Sequence, residues 1–151
     1  MATTEDAKLI LKLYELRTEE VMRKARDFVL LEFHPQSFED VIALFRDVEH
    51  PERSAYFRQV TSYWDMAAAM VNHGAINAEL FFDTNGEHIG VWSKVSDFIP
   101  QLRSPEAFGP QYLVNLEKLI ESQPNGLERV KFMKERFKQI AAMRAAQGKT
   151  A

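Results

Sequence analysis

The sequence predicts an all-α fold: a single-domain helical bundle or array of six to eight helices over residues 1–151, fraying at about 1–5 and 148–151. Three observations carry that expectation. Apolar residues recur at three- and four-residue spacing in nearly every segment, the period of one helix face. Cap-type residues stand ahead of these segments, and Gly or Pro behind them. No segment alternates cleanly between apolar and polar residues, as a half-buried strand would.

The elements follow in order. Thr3, Thr4, Glu5 and Asp6 are cap-type and acidic residues ahead of Leu9, Ile10, Leu13 and Leu16. The stripe resumes at Val21, Met22, Ala25, Phe28 and Val29. Arg17-Thr18-Glu19-Glu20 interrupts it, so either two helices meet at a cap on Thr18 or one long helix runs to Phe33. Pro35 ends this segment, because the residue before a proline is pushed out of helical geometry. Ser37 and Asp40 open the next helix, whose apolar face is Val41, Ile42, Leu44, Phe45 and Val48. A long helix from about Pro51 to Asn72 presents Tyr56, Val60, Tyr63, Ala67, Met70 and Val71 on one side, with Gly74 as its C-terminal cap.

Asn77 caps a short helix through Leu80, Phe81 and Phe82. Asn85-Gly86 is the one place where a short hairpin is conceivable, although flanks that do not alternate favour helix–loop–helix. Ile89, Trp92, Val95, Ile99 and Leu102 recur at helical spacing, with Pro100 as a kink or break. Ser104-Pro105-Glu106 reads as a helix start, and Pro110 starts a helix through Leu113, Leu116, Leu119 and Ile120. After the turn Gln123-Pro124-Asn125-Gly126, the last helix carries Leu127, Val130, Met133, Phe137, Ile140 and Ala141 on one face.

Composition excludes several chemistries. A chain of 151 residues buries about 70 % of the surface that its unfolded form exposes, enough for one core. Zero Cys removes disulfides, thiolate metal sites and Cys nucleophiles, and fits a reducing, cytoplasmic setting. No apolar run approaches the roughly 20 residues of a membrane span. The four histidines, His34, His50, His73 and His88, never pair at the helical spacing of a metal site. Asp83, Asn85 and Glu87 begin like a calcium loop, but His88 and Lys94 stand where that loop needs Gly and Glu. There is no G-x-S-x-G, no Walker loop and no G-x-G-x-x-G. Ser93-Lys94 is only an adjacent pair. No catalytic residue, metal ligand or cofactor is therefore nominated, and the expectation leans away from an enzyme.

Two features point to binding instead. Tyr56, Tyr63, Trp64, Phe81, Phe82, Trp92 and Phe98 crowd the middle of the chain. They are core filler or the wall of a ligand pocket; Tyr63, Trp64, His73, Trp92 and Arg103 are the candidate ligand-binding residues. The second feature is charge. From Gly126 onward there are seven basic and two acidic residues; the rest of the chain has 12 basic and 20 acidic. Lys131, Lys134 and Lys138 flank one side of the last helix's apolar stripe, Arg129 and Arg136 the other. Such a helix docks on the acidic body, on a second copy or on another protein. The membrane surface is a weaker alternative, and the acidic remainder would repel nucleic acid.

The run Tyr63-Trp64-Asp65-Met66-Ala67, then Val71-Asn72-His73-Gly74-Ala75-Ile76, Phe81-Phe82-Asp83, Trp92-Ser93-Lys94 and Phe98-Ile99-Pro100-Gln101-Leu102-Arg103 resembles an uncharacterised, largely helical bacterial family. Tyr14-Glu15-Leu16-Arg17 and Ala25-Arg26-Asp27-Phe28 fit it too, so the likeness covers about residues 9–120. It implies a helical fold and brings no catalytic residues. The function expected is a non-enzymatic helical interaction or self-association module. The alternative is a small-ligand binding domain with an aromatic pocket between its central helices.

Overall fold

The computed structural model describes residues 1–148, and every regular element among them is helical. The C-terminal fraying expected at 148–151 thus lies outside the described residues from 149 onward. Helix α1 spans Thr4–Thr18 and α2 spans Glu20–Asp27. Thr3 and Asp6 form a reciprocal capping box, so helical order begins inside the stretch expected to fray. The break between α1 and α2 falls at Glu19, whose ψ of 148° leaves the helical region. Glu19 is the cap there, accepting from the Val21 and Met22 amides. Thr18 instead donates back to the carbonyls of Tyr14 and Glu15.

The end of α2 widens into a π-turn, Phe28–Glu32, closed by the Phe33 amide on the Phe28 carbonyl. Helix α3 (Phe38–Arg46) is capped by Ser37. Helix α4 (Glu52–Asn72) is the central post: Phe57, Val60, Thr61, Tyr63, Trp64, Ala67, Ala68 and Val71 are all buried. Gly74 (φ +79°) turns the chain out of it through left-handed geometry. Helix α5 (Ala78–Thr84) is capped by Asn77, and α6 (Glu87–Val95) follows directly. The hairpin at Asn85-Gly86 does not form. Its turn would need positive φ at both residues, and they sit at −136° and −139°.

A 3-10 turn (Ser96–Phe98) leads into α7, the single turn Ile99–Leu102 with Pro100 near its start. Residues 103–113 depart from the sequence reading: they form irregular turns, not helix. Contacts within the segment, and the Phe108 ring packed on Phe45 of α3, override the helix signals here. Arg103 donates to the Tyr112 carbonyl, Phe108 and Tyr112 pack ring to ring at 4.7 Å, and Leu113 is held at φ 53°. Helix α8 (Val114–Ser122) therefore starts late. Asp65 of α4 caps it from a distance, accepting from the Leu116 amide at 2.9 Å and from Asn115 at 3.2 Å.

Helix α9 (Gly126–Gly148) closes the molecule. A Cβ on Gly126 would lie 2.0 Å from the Ile120 carbonyl oxygen, so only glycine fits that turn. Helix α4 packs chiefly on α8 and α2, and α6 on α9. No helix among the described residues is long and apolar enough to cross a membrane.

Candidate functional site

Helix α6 is enclosed on every side: His88 through Val95 are all buried. Gly90 makes this possible, because a Cβ there would already touch Leu30 and Phe137 at 3.4 Å. Lys94 lies on this helix and is only 5 % exposed. Its ammonium donates to the Phe33 carbonyl at 2.8 Å and meets His34 Nδ1 at 2.9 Å. It also stands 3.7 Å from the centre of the Phe137 ring. The π-turn presents the Phe33 carbonyl and the His34 ring to it; such turns recur at functional sites.

The His34 tautomer follows from its contacts. Nε2 faces the Leu31 carbonyl at 3.1 Å and must donate, which leaves Nδ1 as the lone-pair acceptor for Lys94. Burial, then the neighbouring Lys94, hold the His34 ring below its usual pKa and keep it neutral. Burial alone drives the Lys94 amine down to about 7. No carboxylate pairs with Lys94 among the described residues. A buried lysine without an anion is costly, and it is half-deprotonated at neutral pH.

This group lines a pocket of about 160 Å³, walled by His34, Ser93, Lys94, Asp97, Lys134 and Lys138 among others. That is room for about five waters at their liquid volume. Lys134 pairs with Asp97 at 2.7 Å on the rim, and Lys138 is exposed beside it with no ion pair among the described residues. Three lysines and one aspartate thus share the pocket. Its chemistry is that of an anion receptor with a neutralisable amine at its base.

A second polar cluster joins α1, α2, α4 and α6. Arg26 donates to Glu87 through Nε at 2.9 and 3.0 Å and through Nη2 at 2.7 Å. Trp64 donates its indole N–H to Glu87 at 3.2 Å, and Arg26 also reaches the Arg17 carbonyl. Arg17 donates to Asn85 at 2.6 Å and lies over the Trp64 ring. Beneath it the buried His88 bonds Gln123 at 2.8 Å, and burial depresses its pKa to about 4. Arg26 and Glu87 neutralise each other, and Arg17 is held by Asn85 and the Trp64 ring, so the cluster holds helices together.

The residues nominated from sequence do not form one pocket. Tyr63 donates to the Leu13 carbonyl, and burial raises its pKa to about 12. Trp64 is fully buried and Trp92 is 5 % exposed. His73 is exposed at the C-terminal cap of α4. Arg103 binds the Tyr112 carbonyl and Glu117, not the last carbonyls of its own helix. Among the last-helix candidates, Lys134 and Lys138 reach the pocket, while Lys131 and Arg136 face outward. Arg129 lines a separate surface hollow with Phe132 and Gly86. Helix α9 docks on the body through Val130 and Phe137.

Lys94 and His34 were missed as a pair. One signal could have found them: Lys94 sits in Ile89–Val95, a run with no polar side along which a lysine could reach water. A larger, mostly apolar groove of about 490 Å³ lies elsewhere, edged by Phe45, Met66, Phe108 and Tyr112. No cluster of three metal-ligating side chains occurs among the described residues.

A family model described as Domain of unknown function (DUF4760) matches residues 2–123, and the chain belongs to that family. The match takes in His34, Lys94 and Asp97, while Lys134, Phe137 and Lys138 of α9 lie beyond it. No curated protein and no solved structure matches the chain.

Proposed function

We propose that this DUF4760 domain is a small-ligand binding domain whose ligand is a compact anion, a carboxylate or phosphate held over Lys94. The observation that carries the reading is a buried lysine lining a pocket, beside Lys134 and Lys138, with no carboxylate of its own among the described residues. An anion entering there would supply a counter-charge beside a largely buried amine, and a charge-assisted contact is strengthened by such partial burial. The aromatic residues Tyr63, Trp64 and Trp92 then serve as packing that holds α6 in place. Acetate and inorganic phosphate are the probes, titrated into the full chain and followed by amide NMR. Shifts should cluster at His34, Lys94, Asp97, Lys134 and Lys138, and Lys94→Met with Lys138→Glu should remove them. Shifts scattered over all exposed lysines, or unchanged in those variants, would end this reading.

A second reading keeps the interaction module, with self-association through the outer face of α9. Phe132 (67 % exposed) and Met143 (63 % exposed) lie on that face with Arg136. Sedimentation across a range of concentrations tests it. A strict monomer in which Phe132→Ser changes nothing would remove it.

A further inference from the structure

We infer that the pocket takes a short oxo acid, a carbonyl carbon next to a carboxylate, and that Lys94 condenses with that carbonyl to form an imine. The inference rests on the anion-binding reading above and names the class of its ligand. Three features of the geometry carry it. Lys94 is the one pocket lysine that is buried among the described residues, while Lys138 is exposed and Lys134 half-buried beside it. Its hydrogen-bond partner is a base: the neutral His34 ring, with Nδ1 open toward Lys94 and Nε2–H tied to the Leu31 carbonyl. The pocket, about 160 Å³ and open to solvent on its Asp97 and Lys138 side, suits a small ligand that projects its charged end outward. The carboxylate lies toward the rim lysines and the carbonyl carbon toward Lys94.

The reaction balances without any oxidant or reductant. The lone pair of neutral Lys94 attacks the carbonyl carbon, the C–N bond forms, and the C=O π pair moves to oxygen. A proton passes from nitrogen to that oxygen through His34 Nδ1. The C–O bond then breaks, water leaves with that oxygen, and a C=N bond remains. The groups facing the amine are His34, the Phe137 ring and the Phe33 carbonyl, with Asp97, Lys134 and Lys138 around the pocket. Among the described residues no carboxylate pairs with the amine to hold it protonated. Burial lowers the Lys94 amine to about 7 and so favours its nucleophilic form at neutral pH.

The test is reductive trapping on the full chain at neutral pH. Glyoxylate or pyruvate is added with cyanoborohydride, and the product is read by intact mass and peptide mapping. One adduct should appear, on Lys94, at least tenfold faster than on any other lysine. Lys94→Arg should abolish it, and His34→Gln should slow it about tenfold while circular dichroism stays unchanged. The trapping rate should rise through pH 7 and level off well below pH 10. Labelling spread over the surface lysines, or equally fast in Lys94→Arg, overturns the inference. Acetate separates the two readings. If acetate shifts the pocket amides but no Lys94 adduct forms, imine chemistry fails and anion binding stands. If Lys94 is trapped but acetate neither binds nor competes, the amine is reactive and the anion reading fails. If neither occurs, both fail.

Discussion

Arg26 and Lys94 are both drawn away from water, yet their surroundings are opposite. Arg26 meets Glu87 through two nitrogens, and Glu87 is held in turn by the Trp64 indole. Lys94 meets a carbonyl, a neutral imidazole and an aromatic ring, and no anion. A matched buried charge pair ties helices together and leaves little for a ligand to add. An unmatched one keeps an electrostatic demand that a ligand can meet. The two clusters lie at opposite ends of α6, so one helix carries both the fastening of the fold and the candidate site.

Breaking the matched cluster should do the most damage. Glu87→Leu leaves Arg26 facing apolar atoms and orphans the Trp64 N–H. The pair is only partly buried, its side chains 23 % and 17 % exposed, so removing one partner costs about 1–3 kcal/mol. Urea unfolding should show a clear drop in midpoint with an unchanged slope; a loss below about 1 kcal/mol would mean that Arg26 finds water instead. Arg26→Lys should recover only part of the loss, since a single ammonium cannot reproduce the two-pronged contact.

Breaking the unmatched cluster should do less. Lys94→Met removes two hydrogen bonds, each worth about 1 kcal/mol, and also removes a buried charge. The two effects oppose each other, so stability at pH 7 should change by less than about 1.5 kcal/mol. The clearer signature is in pH. Lys94 titrates near 7 in the folded chain instead of its ordinary 10.5. Between those values the unfolded chain holds a proton that the folded chain has released. Stability should therefore rise with pH across that window, and the burial cost should be fully present below it. Lys94→Met should flatten this rise; a wild-type curve flat from pH 7 to 10 would contradict the burial argument.

His88 lies beneath the matched cluster and gives the acid-side counterpart. Its pKa falls from 6.5 to about 4 through burial. As pH drops from 6.5 toward 4, the unfolded chain takes up a proton that the folded chain excludes, so stability falls across that window. His88→Gln keeps a partner for Gln123 and should lessen this acid loss relative to wild type in thermal melts. An identical acid profile in both proteins would place the sensitivity elsewhere.

Much of the fold was readable because its signals are local. Ser37 and Asn77 cap the helices that they precede, Gly74 takes the left-handed turn, and His34-Pro35 closes the first segment. Residues 103–113 misled because proline and serine signals there were overruled by Arg103, Phe108 and Tyr112, which meet partners distant along the chain. The candidate site was illegible for the same reason. Lys94 and His34 are far apart in sequence and meet only where the end of the π-turn packs against α6. The charge split singled out Lys134 and Lys138 as part of an interaction helix, and the structure places both along the pocket that Lys94 lines.

Those rim lysines provide the smallest effect on stability and the sharpest separation of the two roles. Lys134 pairs with Asp97 at 2.7 Å, but that aspartate is 66 % exposed. An exposed pair of this kind contributes about 0–1 kcal/mol, so Lys134→Ala should barely move the melting curve. Its charge still faces the pocket, where an anion would be drawn in from solvent. Acetate affinity should therefore fall several-fold in Lys134→Ala at low salt, and the deficit should shrink as salt is raised. Glu87→Leu, assayed at a temperature where it remains folded, should leave acetate affinity intact. If the rim variant loses stability but not affinity, the lysines of α9 belong with Arg26 as fasteners, and the contrast between the two ends of α6 collapses.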